Sequence, residues 1–253
     1  MTYYDDLTND EKRVNTFFKA IKQEVNGICY DLGTGSGILA SYASRYAEKV
    51  YAIEQNPLII TKTRDYLKEY DNVKLIDADA TEYEFQGKID VVICEMLDTA
   101  LIDEEQIPVI NHVVKYTNDD TIFIPMAVYS TVELINAQVM GICYHEDEHP
   151  KYTSLSDEVK YGRINLNQYN DPEYEEDIQM KVKTGGLLNA IKITTYTILT
   201  DDIILEPTPM LNPPLIIPVE ELDVEKGDNI TINLKYTMGG GLNTIQTTRK
   251  TNN

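Results

Sequence analysis

Three acids stand where short apolar stretches run out: Asp31 after Ile28-Cys29-Tyr30, Glu54 after Val50-Tyr51-Ala52-Ile53, and Asp79 shortly after Val73–Ile76. The first is followed at once by Gly33-Thr34-Gly35-Ser36-Gly37. Glycines at such a turn admit positive φ and let the backbone come close to a ligand. A dinucleotide-binding turn needs G-x-G-x-x-G, but here Gly37 comes one residue early and Ile38 takes the expected place. An acid beside the turn suits a ligand with a cationic ammonium group and would repel a pyrophosphate. At its strand end Glu54 can accept from both hydroxyls of a ribose. Asp79 is placed to accept from an adenine amino group, and Ala80 to offer its backbone N–H to a ring nitrogen. Asp77 competes for that role; the Asp79-Ala80-Thr81 triplet favours Asp79 at the loop rim. The glycine turn alone could be no more than a tight strand–helix connection. Acids at three successive strand ends point instead to one ligand lying across the sheet edge.

The elements that must position these residues follow from hydrophobic period. Residues 9–25 read as a helix with Thr8 able to cap it, Glu11 three residues on, and Val14, Phe17, Phe18 and Ile21 on one face. Apolar strands are expected at 27–31, 49–53, 73–76, 90–94 and 120–124, with helices at 38–46, 58–69 and 104–115 between them. Alternation of that kind predicts an α/β fold, a doubly wound, mostly parallel sheet covered on both faces. After Pro125 the pattern turns to strands at 129–137, 179–184, 189–197, 215–219 and 229–236, separated by Gly, Pro, Asn and Asp. These predict a mainly antiparallel, β-barrel-like unit. The expected organisation is a covering helix in 1–25, a ligand-binding domain in 26–126 and a β-rich domain in 127–253. Within the last, 144–177 is polar and reads as an exposed arm or loop, and the tail from Thr247 to Asn253 as disordered.

The 253 residues, 42% apolar and 25% charged, suffice for a sizeable core. No apolar run reaches the length of a membrane span, and the polar, acidic start is unlike a secretory signal. Three cysteines (Cys29, Cys94, Cys143) lack ligand spacing, and Cys29 and Cys94, inside apolar runs, read as buried thiols of a reducing compartment. The cytoplasm is expected, with no membrane partner. A net charge of −20 lowers the prospect of a nucleic-acid partner and otherwise serves solubility or attraction of a cationic partner. His145-Glu146-Asp147-Glu148-His149 has donors for an ion but no paired cysteines, and reads as a solvated acidic segment, so no metal is expected.

The acids and glycine turn have the pattern of Rossmann-like, class I S-adenosylmethionine-dependent methyltransferases, and the chain further resembles the protein arginine methyltransferases. Asn9-Asp10-Glu11-Lys12-Arg13-Val14-Asn15-Thr16-Phe17 is similar to the family's cofactor-covering helix, which implies that Arg13 binds the methionine carboxylate; the alternative is a solvated helix arginine. Asp90-Val91-Val92-Ile93-Cys94-Glu95-Met96-Leu97 resembles the strand opening the family's double-glutamate loop. By that resemblance Glu95 and Glu104, nine residues apart, are the catalytic pair that holds a guanidinium, and Glu95 also borders the cofactor. Glu104 is equally readable as an acid at a helix start, beside Asp103 and Glu105. Thr121–Pro125 with Val128–Glu133 is similar to the junction into the family's barrel. The implied cofactor is S-adenosylmethionine, leaving as S-adenosylhomocysteine.

Departures are as informative. The family's Thr-His-Trp loop should fall near 209–212, yet the chain has no tryptophan, and its three histidines lie elsewhere. Met96-Leu97-Asp98 replaces the family's Trp-Met-Gly, so that Asp98 adds a third acid to the expected site; the tyrosine motif survives only as Tyr3-Tyr4. Asn212-Pro213-Pro214-Leu215 could suggest a base-methylating loop, but its place in the second domain fits a strand entry. The expected function is N-methylation of a protein at arginine. Methylation of RNA or of a small molecule, or a non-catalytic cofactor-binding role, are the alternatives, and a homodimer is possible.

Overall fold

The computed structural model describes residues 9–250. Helix α1 (Glu11–Glu24) is capped by Asp10, whose carboxylate accepts from the Arg13 N–H; Thr8 lies outside the described residues, as do Tyr3 and Tyr4. Its buried stripe is Val14, Phe17, Ala20 and Ile21, the spacing that puts apolar side chains on one helix face.

Five parallel strands follow: β1 (Ile28–Leu32), β2 (Lys49–Glu54), β3 (Val73–Asp77), β4 (Val91–Cys94) and β5 (Ile122–Ile124), in spatial order β3-β2-β1-β4-β5. Helices α2 (Ile38–Ala43), α3 (Pro57–Leu67) and α4 (Gln106–Val113) connect them. Every residue of β4 is buried, as a strand covered on both faces requires. The reversal of strand order between β1 and β4 is where an open α/β sheet leaves a crevice at its carboxyl edge. Asp31 and Ile93 are neighbours in that register, so Asp31 and Glu95 come to the same edge.

Beyond β5 the chain builds two antiparallel sheets. The larger joins β6 (Ala127–Ala137), β7 (Cys143–Tyr144), β8 (Tyr152–Ser154), β9 (Val159–Asn165), β11 (Gly186–Ile198), β12 (Ile204–Leu205) and β13 (Leu215–Val224). The smaller orders β10 (Glu173–Lys181), β14 (Asn229–Thr237) and β15 (Gln246–Lys250) as β10-β14-β15. The sheets abut where β9 meets β10 and β13 meets β15, which gives the barrel-like character expected from the strand pattern.

Two expectations fail here. Residues 144–177 are not a loop: β9 pairs along β6, and β10 pairs with β14 from Glu173 to Lys181. On β10 the exposed alternate residues are Glu173, Glu175, Asp177, Gln179 and Lys181, while Tyr161 of β9 is buried, so low mean hydropathy concealed a period of two. Likewise Thr247 to Lys250 pairs with β14, while 251–253 lie outside the described residues. All three cysteines are buried. No helix among the described residues is long and apolar enough to cross a membrane.

Candidate active site

The carboxyl edge of the parallel sheet opens into a cavity of about 260 Å³ lined, among others, by Arg13, Asp31, Glu54, Asp79, Glu95 and Glu104. Gly33, Gly35 and Ala80 line it too, whereas Gly37 does not. Gly37 instead stands at the start of α2 with φ 83°, where a Cβ would meet Leu67. Gly33, at φ 67°, faces Met96, whose Sδ would lie 2.8 Å from an added Cβ. A side chain there would have to displace the cavity wall. Asp79 lines the cavity, whereas Asp77 is exposed and off the lining.

Each acid is held by its neighbours. Glu54 accepts from Gly35 N–H through Oε2 (2.9 Å) and from Asn56 N–H through Oε1 (2.8 Å). A carboxylate offers about four acceptor sites, so one lone pair on each oxygen stays open for a pair of vicinal hydroxyls. Asp79 commits Oδ1 to the Thr81 N–H and hydroxyl, at 2.8 and 2.6 Å, and its Oδ2 takes no donor from the described residues. Asp31 accepts from the Thr34 hydroxyl and is 2% exposed. Burial pushes its carboxyl up to about 7 against the opposing Thr34 bond, with Glu95 and Glu54 adding repulsion.

Glu95 follows β4 and receives Arg13 Nη2, two side chains only 10% and 5% exposed. Burial raises the Glu95 carboxyl, and the guanidinium opposes that rise. Glu104 lies at the cavity mouth with an exposed side chain, raised by local burial and then by Asp103, Glu95 and Glu105. It precedes α4, whose cap is Glu105, so Glu104 is not a helix residue. Among the described residues, six acids (Asp31, Glu54, Asp79, Glu95, Glu104, Glu105) thus line the cavity, with Arg13 as the one cationic residue of that lining. Such a site suits a ligand carrying positive charge.

Several residues escaped the sequence reading. Gln106, fully buried, accepts from Met96 N–H (2.9 Å) and donates to the Cys94 carbonyl (2.9 Å), holding the chain on both sides of Glu95. Met210 reaches the cavity from the loop before β13, where aromatic pocket residues were expected. Among the described residues the lining carries no aromatic side chain. Asp98 is not a third acid of the cavity: it is 6% exposed, off the lining, and occupied by backbone donors. Nothing but a buried neighbour's shape distinguishes these residues, which periodicity cannot show. Asn212 donates to the Thr197 hydroxyl and Leu215 opens β13, a strand entry. Away from the cavity, donor atoms of His145, Glu146 and His149 lie within 4.8 Å of one another on a one-turn helix, α5 (His145–Glu148).

Residues 29–120 match the profile of a methyltransferase domain. An uncharacterised protein of Methanothermobacter thermautotrophicus is 41% identical over 244 residues, covering 96% of each chain. The protein arginine methyltransferase enzyme–prozyme heterotetrameric complex of Trypanosoma brucei, solved with AdoHcy, superposes with a TM-score of 0.76 at 14% identity, over 96% of this chain and 95% of that one. Protein arginine methyltransferase 10 of Arabidopsis thaliana, in an open conformation, gives 0.78 at 15% identity, over 97% and 95%. Glycine turn, strand-end acids, profile and fold agree: the chain belongs to the class I, Rossmann-like S-adenosylmethionine-dependent methyltransferases and carries the fold of the protein arginine methyltransferases.

Proposed function

We propose that the enzyme methylates nitrogen on a protein substrate, at arginine, and that Glu95 and Glu104 hold the acceptor. The observation that carries this reading is that Glu95, nearly buried, and Glu104, more exposed, line the same acidic cavity. In this reading Asp31 receives the amino group of the cofactor, Arg13 its carboxylate, Glu54 the ribose, and Asp79 with Ala80 the adenine. Gly33 and Gly35 let the backbone approach. Bound S-adenosylmethionine supplies an electrophilic methyl group on a sulfonium sulfur.

The protein's own contribution is orientation. A guanidinium is protonated and a poor nucleophile, and two carboxylates can grip it in bidentate fashion. They would aim one nitrogen in line with the methyl carbon, and alignment supplies much of the rate in a displacement. Charge balance requires the methylated guanidinium to lose one proton. The raised carboxyls of Glu95 and Glu104 suit them to receive it.

A small cationic acceptor is the second reading, favoured by the lack of aromatic walls among the described residues and by Met96 and Met210 in the lining. The test is transfer of tritiated methyl from S-adenosylmethionine into an extract of the producing cells, split by protease and by ribonuclease. Protease-sensitive label that yields methylarginine supports the proposal. Ribonuclease-sensitive label overturns it in favour of RNA, and label that stays small favours the second reading. A homodimer is the companion proposal, and a solution mass of one chain would refute it.

A further inference from the structure

The loop that delivers Glu104 has an unusual backbone. Ala100 and Leu101 both take left-handed conformations, with φ 59° and 60°, although neither is glycine. Helix α4 begins just beyond Glu104 with no side-chain cap. Such a loop keeps one shape only if other groups determine it.

Side-chain and backbone groups of both units do so here. The Asp98 carboxylate accepts three successive backbone N–H groups: Ile102 at 3.1 Å and Asp103 at 2.9 Å on Oδ2, and Glu104 at 3.2 Å on Oδ1. The Tyr144 hydroxyl, from β7 of the barrel-like unit, donates to Oδ2 at 3.4 Å. The same unit binds the loop along its length. Thr99 Oγ1 donates to the Pro213 carbonyl at 2.7 Å, Thr195 Oγ1 accepts from Ala100 N–H at 2.8 Å, and Gly239 and Gly241 N–H donate to the Leu101 and Ile102 carbonyls at 2.9 Å.

We propose that Asp98 is the positioning residue for Glu104: its buried carboxylate gathers the N–H groups of residues 102–104 and so sets where the second glutamate meets the acceptor. The inference rests on the reading of Glu104 as an acceptor-holding group. Asp98 is set apart from the space for cofactor and acceptor, because its oxygens take backbone N–H groups and the Tyr144 hydroxyl and its side chain is off the cavity wall. Asp98→Ala would remove the shared acceptor of three successive backbone donors, that of Ile102 buried, and free the turn. Tyr144 makes the device a joint one, in which the barrel-like unit helps place an acid of the parallel-sheet unit.

The experiment is a double-mutant cycle of Asp98→Ala and Glu104→Gln, with methyl transfer into cell extract at saturating extract and cofactor binding measured by calorimetry. Asp98→Ala is expected to slow transfer by about 100-fold, the scale of a displaced catalytic group, with cofactor affinity unchanged. The double variant is expected to be no slower than the slower single variant, since both changes remove one function. Multiplying effects would mean that Asp98 acts independently of Glu104, which overturns the inference. Wild-type transfer by Asp98→Ala beside a slow Glu104→Gln overturns it alone, leaving the proposed function intact. Wild-type transfer by Glu104→Gln refutes the role of Glu104 and this inference with it. Should Asp98→Ala not fold, the cycle with Asp98→Asn, which keeps one acceptor oxygen, decides in the same way.

Discussion

Arg13 on α1 and Glu95 at the end of β4 form an ion pair at the base of the cavity, both nearly shut off from water. The pair ties the covering helix to the sheet edge, so cofactor wall and candidate acceptor wall share one charge contact. Removing one partner of a buried pair strands the other and costs about 3–5 kcal/mol. Arg13→Met should lose stability on that scale in denaturant titration. Glu95→Gln should lose less, because glutamine still accepts from the guanidinium, yet it should abolish transfer while cofactor binding survives.

Asp31 makes cofactor binding depend on pH. Its carboxyl sits at about 7 in the unliganded protein and must ionise to receive an ammonium group. Affinity for S-adenosylmethionine should therefore climb as pH rises from about 5 to about 7, approaching tenfold per unit at the acid end. Asp31→Asn should bind weakly and without that slope in calorimetry. The stability of the unliganded protein should move the other way. The unfolded carboxyl ionises near its ordinary 3.8 and the folded one near 7, so the unfolded state sheds its proton first and wild type loses stability relative to Asp31→Asn across that interval.

Gln106 holds both neighbours of Glu95. Gln106→Leu fits the buried space but leaves the Met96 N–H and the Cys94 carbonyl without partners. The loss expected is about 1–3 kcal/mol for each orphaned group, together with slower transfer. Equal transfer rates at equal folded fraction would show that Glu95 needs no such support.

Gly33 tests the glycine turn. Gly33→Ala must carry a Cβ at φ 67° and against Met96. Left-handed backbone costs a non-glycine residue about 1–2 kcal/mol, and cofactor affinity should fall as the wall shifts. Gly87→Ala, at φ 77° with nothing near its Cβ, should show the stability cost and leave affinity unchanged.

The strand–helix alternation up to Ile124 was legible because buried parallel strands are short apolar runs and amphipathic helices have a period of 3.6. Asp31, Glu54 and Asp79 were legible for a related reason: each closes or follows such a run, and a sheet sends its strand ends to one edge. Residues 144–177 were not, because strands with charged residues on their outer face read as solvated loop until a partner strand is known.

What the sequence by itself determined is the class of fold, the edge where a ligand lies and the acids that border it, since these are local in the chain or follow from strand order. Tertiary structure alone decided that Gln106 holds Glu95, that Asp98 turns away from the cavity, that Met210 stands where aromatics were expected, and that Gly37 only turns the chain. Those depend on side-chain direction and on contacts between residues far apart in sequence, such as Tyr144 with Asp98. A hydrogen bond forms between atoms that packing brings together, and no spacing along the chain encodes that.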